Sequence, residues 1–147
     1  MKKKIGEEMG FDAESHRNFK LMKGKVIKSL VLANDAILLE LEGGKTFWIW
    51  DNGQLCCEDR YITTDDDLSY FAGSTLMDIV LTEAPDGLSG DDQDHDVHEI
   101  QFLTIKTSKG IVTFETHDEH NGAYGRFAVR VSSEEPAIVK WRRDEGP

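Results

Sequence analysis

Three β-rich runs, KVIKSLVLA from Lys25, AILLELE from Ala36 and KTFWIW from Lys45, are separated only by Asn34-Asp35 and Gly43-Gly44. Two-residue links of Asn, Asp or Gly between such runs are the strongest short-range hairpin signal, because these residues accept the positive φ that primed turns require. The stretch therefore folds back on itself twice as an antiparallel meander, which sets the class of the chain as mainly β.

The pattern returns later. GSTLMDIVL from Gly73 stands where GKVIKSLVL stood from Gly24, and EIQFLTIKTSKGIVTFE from Glu99 stands where AILLELEGGKTFWI stood. A weak internal repeat of about fifty residues implies two similar meanders packed as a sandwich or partly closed barrel. Between them, Thr64 as cap, acids in the first turn and Gly73 as stop predict one short helix near 65–72. The repeat sets the Asn34-Asp35 link against a long acidic segment, APDGLSGDDQDHDVH, read as an inserted loop. It also aligns WDNGQLCCEDRY, leaving the first copy, with EHNGAYGRF, leaving the second, so these two motifs are expected at related ends of the domain.

At 147 residues the chain is long enough for one domain and one core. The expected organisation is an N-terminal arm over 1–23, helical or disordered, a single β-rich domain over 24–131, and a tail over 132–147 with an extra strand. The arm would use Ile5, Met9, Phe11 and Phe19, and the tail strand the alternating Ala137, Val139 and Trp141. The 28 acidic residues against 17 basic ones give a net charge of −11. A field of that sign opposes phosphate backbones and anionic membranes and favours basic protein partners. No apolar signal core or membrane-length run occurs, and two cysteines are too few for a disulfide scaffold, so the expected location is cytoplasmic.

Four groups of residues carry the chemistry-bearing side chains. With Asn121-Gly122 as a hairpin turn, Phe114 faces Val129, Val112 faces Val131, and Glu115 lies diagonal to Arg126 and Arg130. The hairpin then sends His117 and His120, an odd number apart, to opposite sides of the strand. Cys56 and Cys57 are soft ligands that could join His117 and His120 in a zinc-type site where the two exits meet. Asp91, Asp92, Asp94, Asp96 and Glu99, with His95 and His98, form the densest cation-prone cluster, open to Ca²⁺ or to a basic partner. An EF-hand is excluded, since counting from Asp92 the sixth residue is Val97 and the twelfth Leu103. Phe47, Trp48 and Trp50 read as core plus rim. Phosphate-loop, dinucleotide, nucleophile-elbow and Cys-x-x-Cys signatures are absent, which leans against an enzyme.

The blocks GQLCCEDRYITTDDDLSYFAGSTLMDI from Gly53, HEIQFLTIKTSKG from His98 and THDEHNGAYGRF from Thr116 together resemble a small domain family of unknown function in bacterial and phage-encoded proteins. That family shows an acidic Gly-x-Cys-Cys segment, a central acidic helix and a His-Asn-Gly-Tyr-Tyr-Gly-Gly-Phe-like ending, over about Gly24 to Val131 here. Ala123 and Arg126 depart from its pattern. The resemblance transfers no activity, and its phage association implies an inhibitor of host machinery.

The expected function is an acidic protein-binding module, a phage-type inhibitor of a basic nucleic-acid-handling defence protein, using Asp91, Asp92, Asp94, Asp96, Glu99, Tyr124 and Arg126. The alternatives are a metal-binding domain or metal-dependent enzyme using Cys56, Cys57, His117 and His120 or the Asp-rich loop, and an immunity-type protein that neutralises a basic toxin. A homodimer stays open.

Overall fold

A computed structural model describes residues 2–4, 12–54, 58–83, 90–91, 97–120 and 127–144. In chain order these form β1 (Lys2–Lys4), α1 (Ala13–Met22), β2 (Ile27–Ala33), β3 (Ala36–Leu41), β4 (Thr46–Asp51), β5 (Asp59–Thr63) and a 3-10 turn (Leu68–Phe71). There follow β6 (Leu76–Glu83), β7 (Gly90–Asp91), β8 (Val97–Thr107), β9 (Gly110–His120), β10 (Val129–Ser132) and α2 (Ala137–Asp144).

The strands make two antiparallel sheets. The smaller runs β10-β4-β3-β2, and the larger β1-β6-β8-β9-β5, with β7 also on β8. Ile37, Leu39 and Ile49 from the first and Ile79, Leu103, Ile105 and Phe114 from the second join one buried cluster. The fold is therefore a sandwich, with no closed barrel among the described residues. Asn34 and Asp35 adopt φ of 52° and 59°, as a two-residue primed turn between right-twisted strands requires.

The repeat holds in three dimensions. Gly24 and Gly73 have φ of +86° and +87°, and each opens a strand with a register shift at its second residue, between Ile27 and Ser29 and between Leu76 and Asp78. The two openings join through a bridge between Val26 and Thr75. The same spacing relates Phe19 to Leu68 and Met22 to Phe71, so α1 and the 3-10 turn are counterparts, each laying apolar residues on the core just before its meander.

Several expectations are corrected. β9 and β10 do not form a hairpin: both edges of β9 are occupied, by β8 and β5, while Val129 and Val131 pair with Asp51 and Ile49 on β4. Phe114 therefore does not face Val129, Glu115 lies 3.5 Å from His117, and Arg130 pairs with Asp12 at 3.3 Å. The tail forms α2 rather than a strand. The Pro136 carbonyl accepts from Val139 and Lys140, and Val139 is buried while Trp141 is exposed, so three alternating apolar residues were too few to set a strand period. The short helix is a single turn capped by Asp67, whereas the Thr64 hydroxyl donates to the Thr113 carbonyl. The N-terminal arm contributes Phe19 and Met22 to the core; Ile5, Met9 and Phe11 lie outside the described residues.

Candidate functional site

The strand that leaves each meander joins the other sheet. β5 follows β4 in the chain yet pairs with β9, and β10 follows β9 yet pairs with β4. This exchange brings the end of β4, the start of β5, the end of β9 and the start of β10 to one end of the sandwich. β8 begins there too, Val97 opposite His120, and Asp91 on β7 pairs with Val97. All three motif blocks thus converge.

Arg60 holds the crossing together. Its Nη1 lies 3.0 Å from both oxygens of Asp51, its Nε 3.1 Å from Glu58, and its Nη2 3.2 Å from Asp118, all four side chains being buried. A guanidinium presents five donors in a planar fork, so it can serve three carboxylates from three segments at fixed angles. Asp51 also accepts from the backbone N–H of Gly53 and of Ala128, each at 3.0 Å, which ties the exits of both meanders to one carboxylate. Gln54 closes the turn, donating to the Glu58 carbonyl and accepting from the Arg60 N–H at 2.9 Å. Burial works against the charged guanidinium, but Glu58, Asp51 and Asp118 together raise its pKa.

Beside this group, on the inner face of the larger sheet, stand Asp118, His120 and Glu99. His120 Nε2 is 2.5 Å from Glu99 and 4.0 Å from Asp118. Glu99 pairs in register with Asp118, so the two carboxylates project to the same side, Glu99 half-buried at the mouth and Asp118 behind it. Burial pushes the Asp118 carboxyl up to about 6, Arg60 opposing the shift and the Glu58 carboxylate adding to it.

On the outer face His117 sits at the centre of a second group. Its Nε2 is 2.9 Å from the Thr63 hydroxyl and its Nδ1 2.8 Å from His98 Nε2, while Tyr61 stacks on the ring at 4.5 Å and an interplanar angle of 8°. The Tyr61 hydroxyl donates to Glu119, and burial together with that carboxylate raises its pKa. Burial first, then His98, holds the His117 imidazole below its ordinary value against Glu115 and Glu119.

His117 and His120 thus lie on opposite faces, as their odd spacing requires, and do not share a site. Glu99 joins His120, and Asp91 lies across from Val97. Cys56, Cys57, Asp92, Asp94, Asp96, Tyr124 and Arg126 lie outside the described residues. Sequence reasoning missed Asp51, Glu58, Arg60 and Asp118. The signal was present: Glu58 with Arg60, and Asp118 with His120, are spaced by two, which puts each pair on one face of a strand.

Comparison with known families matches residues 20–129 to a domain of unknown function, DUF7448. The chain belongs to the DUF7448 family. The match opens inside α1 and closes at the first residue of β10, so it takes in both meanders and every residue of the Arg60 and His120 groups. No curated protein and no solved structure matches this DUF7448 chain. No helix among its described residues is long and apolar enough to cross a membrane.

Proposed function

We propose that this DUF7448 chain is an acidic protein-binding module, of the kind a phage uses to inhibit a basic, nucleic-acid-handling host protein. One observation carries the reading. On the outer face β5 and β9 carry Asp59, Glu115, His117 and Glu119 beside Tyr61, with no Lys or Arg on that face of these two strands; Lys106 of β8 stands at the far end, opposite Ile111, and Asp59 stands directly opposite Glu119. Like charges directly opposite each other on paired strands destabilise a sheet, so a face that retains them is better suited to a partner than to stability. Tyr61, Ile100 and Phe102 lie half-buried on the same face and Ile111 is exposed, which supplies apolar area among the carboxylates. Charge of this sign speeds and selects encounter with a basic surface, and the aromatics then bury against it, as interface anchors do. The carboxylates would occupy the partner's phosphate sites.

The test is a pull-down from bacterial lysate with the immobilised chain at low and high salt, alongside a D59N/E115Q/E119Q variant and a variant with Asp91, Asp92, Asp94 and Asp96 changed to Asn. Capture of a basic protein that fades with salt, competes with duplex DNA and drops in both variants is expected. Capture indifferent to salt, or retained by both variants, sinks the reading.

A further inference from the structure

We propose that Glu99, Asp118 and His120 bind one divalent transition-metal ion, of the Zn²⁺ or Mn²⁺ class. The three side chains come from adjacent strands on the inner face, and one ligand atom from each lies within 4.8 Å of the others. An ion with ligand distances near 2.0–2.2 Å draws such atoms together by small rotamer shifts, and it separates the His120 and Glu99 pair, now at 2.5 Å, by displacing the proton between them.

A further observation points to a cation. Neither oxygen of Asp118 accepts a hydrogen bond among the described residues, although the side chain is 1% exposed. The Arg60 guanidinium, 3.2 Å away, balances part of its charge, and a bound cation would supply the direct bonds that its oxygens lack. Arg60 Nη2, 3.2 Å from Asp118, holds that side chain in place, as the partners of a metal ligand do.

The donor set names the ion. One imidazole and two carboxylates suit Zn²⁺ or Mn²⁺ better than Ca²⁺, which takes six to eight oxygens. Glu99, with its side chain 41% exposed, stands at the solvent side, so three protein ligands leave coordination positions open to water or a small anion. The site stands independently of the protein-binding reading, which uses the opposite face of the sheet.

The experiment is isothermal titration of the untagged, chelator-treated full chain with ZnCl₂ and with MnCl₂. One equivalent is expected for at least one of the two metals, weakened roughly tenfold or more by Glu99→Gln and by His120→Gln, and unchanged in the doubles Cys56→Ser/Cys57→Ser and His98→Gln/His117→Gln. Because His120 is buried and its variant could unfold, Mn²⁺ titration of the unaltered chain by NMR gives a second reading: the His120 imidazole signal broadens first and the His16 signal stays sharp. No saturable binding of either metal up to about 1 mM overturns the proposal. So does binding that E99Q leaves intact and either double abolishes, or Mn²⁺ broadening that spares His120.

Discussion

Gly53 carries no side chain at the point where Arg60 passes it. A Cβ built there would meet Nη1 at 2.3 Å and Cζ at 2.5 Å. An arginine can usually swing away from such a clash, but this one is fixed by Asp51, Glu58 and Asp118, so the clash cannot be relieved without breaking a buried ion pair. Gly53→Ala is therefore expected to cost about 1–3 kcal/mol, read from the urea midpoint at constant slope. A midpoint unchanged by G53A would show that the guanidinium is free to move. His117 sets a pH dependence of determinate sign. Its folded pKa lies below the ordinary 6.5, so below 6.5 the unfolded chain takes up a proton that the folded chain refuses. Its contribution to stability is present at pH 7 and lost as the pH falls below 6.5 and through the folded value. Replacing it by Gln should leave a chain whose melting temperature falls less between pH 7 and pH 5 than that of the unaltered protein. Equal falls in both would place His117 in solvent.

At the scale of elements, α1 illustrates where sequence patterning is weak. The helix presents Ser15, Asn18, Phe19 and Met22 inward, and two of those four are polar, so no apolar stripe announces it. Ser15 and Asn18 are satisfied by the backbone of β10, the Ser15 hydroxyl accepting from the Val131 N–H at 2.9 Å and the Asn18 amide donating to its carbonyl at 2.8 Å. These partners lie more than a hundred residues away and could not be read locally. Met22→Ala is expected to cost about 2–5 kcal/mol, as a fully buried core truncation does. Asp12→Ala, which removes the cap accepting from the Ser15 N–H at 2.8 Å together with a part-exposed ion pair to Arg130, should cost about 1 kcal/mol. Chemical denaturation of the two variants checks the order, and an equal small cost for both would make α1 an appendage rather than the first layer of the repeat.

At the scale of the molecule, exchange of β5 and β10 between the sheets means that neither meander is complete alone. Residues 12–63 lack β10, which fills the second edge of β4, and residues 64–147 lack β5, which fills the second edge of β9. Each half expressed separately should show no cooperative melt by circular dichroism, while the whole chain unfolds in one transition with coincident probes. A folded half would contradict this coupling. The same exchange explains which parts of the fold and site were legible. The meanders, the two-residue Asn34-Asp35 turn and the repeat were written in the sequence, because hairpin pairing is local and primed turns demand particular residues, whereas the Gly43-Gly44 link takes in Glu42 as a three-residue loop. The opposite facing of His117 and His120 was legible too, since strand periodicity fixes it. The sequence could not show which strand lies beside β9, because an Asn-Gly pair suits a hairpin but does not reserve an edge. Burial of two full sheets decided that. It filled both edges of β9, carried Arg60 from the exit of one meander to the strands of the other, and gathered Asp51, Glu58, Asp118, His120 and Glu99 at the crossing. Long-range strand pairing depends on the closing of the whole core, and only the tertiary structure supplies it.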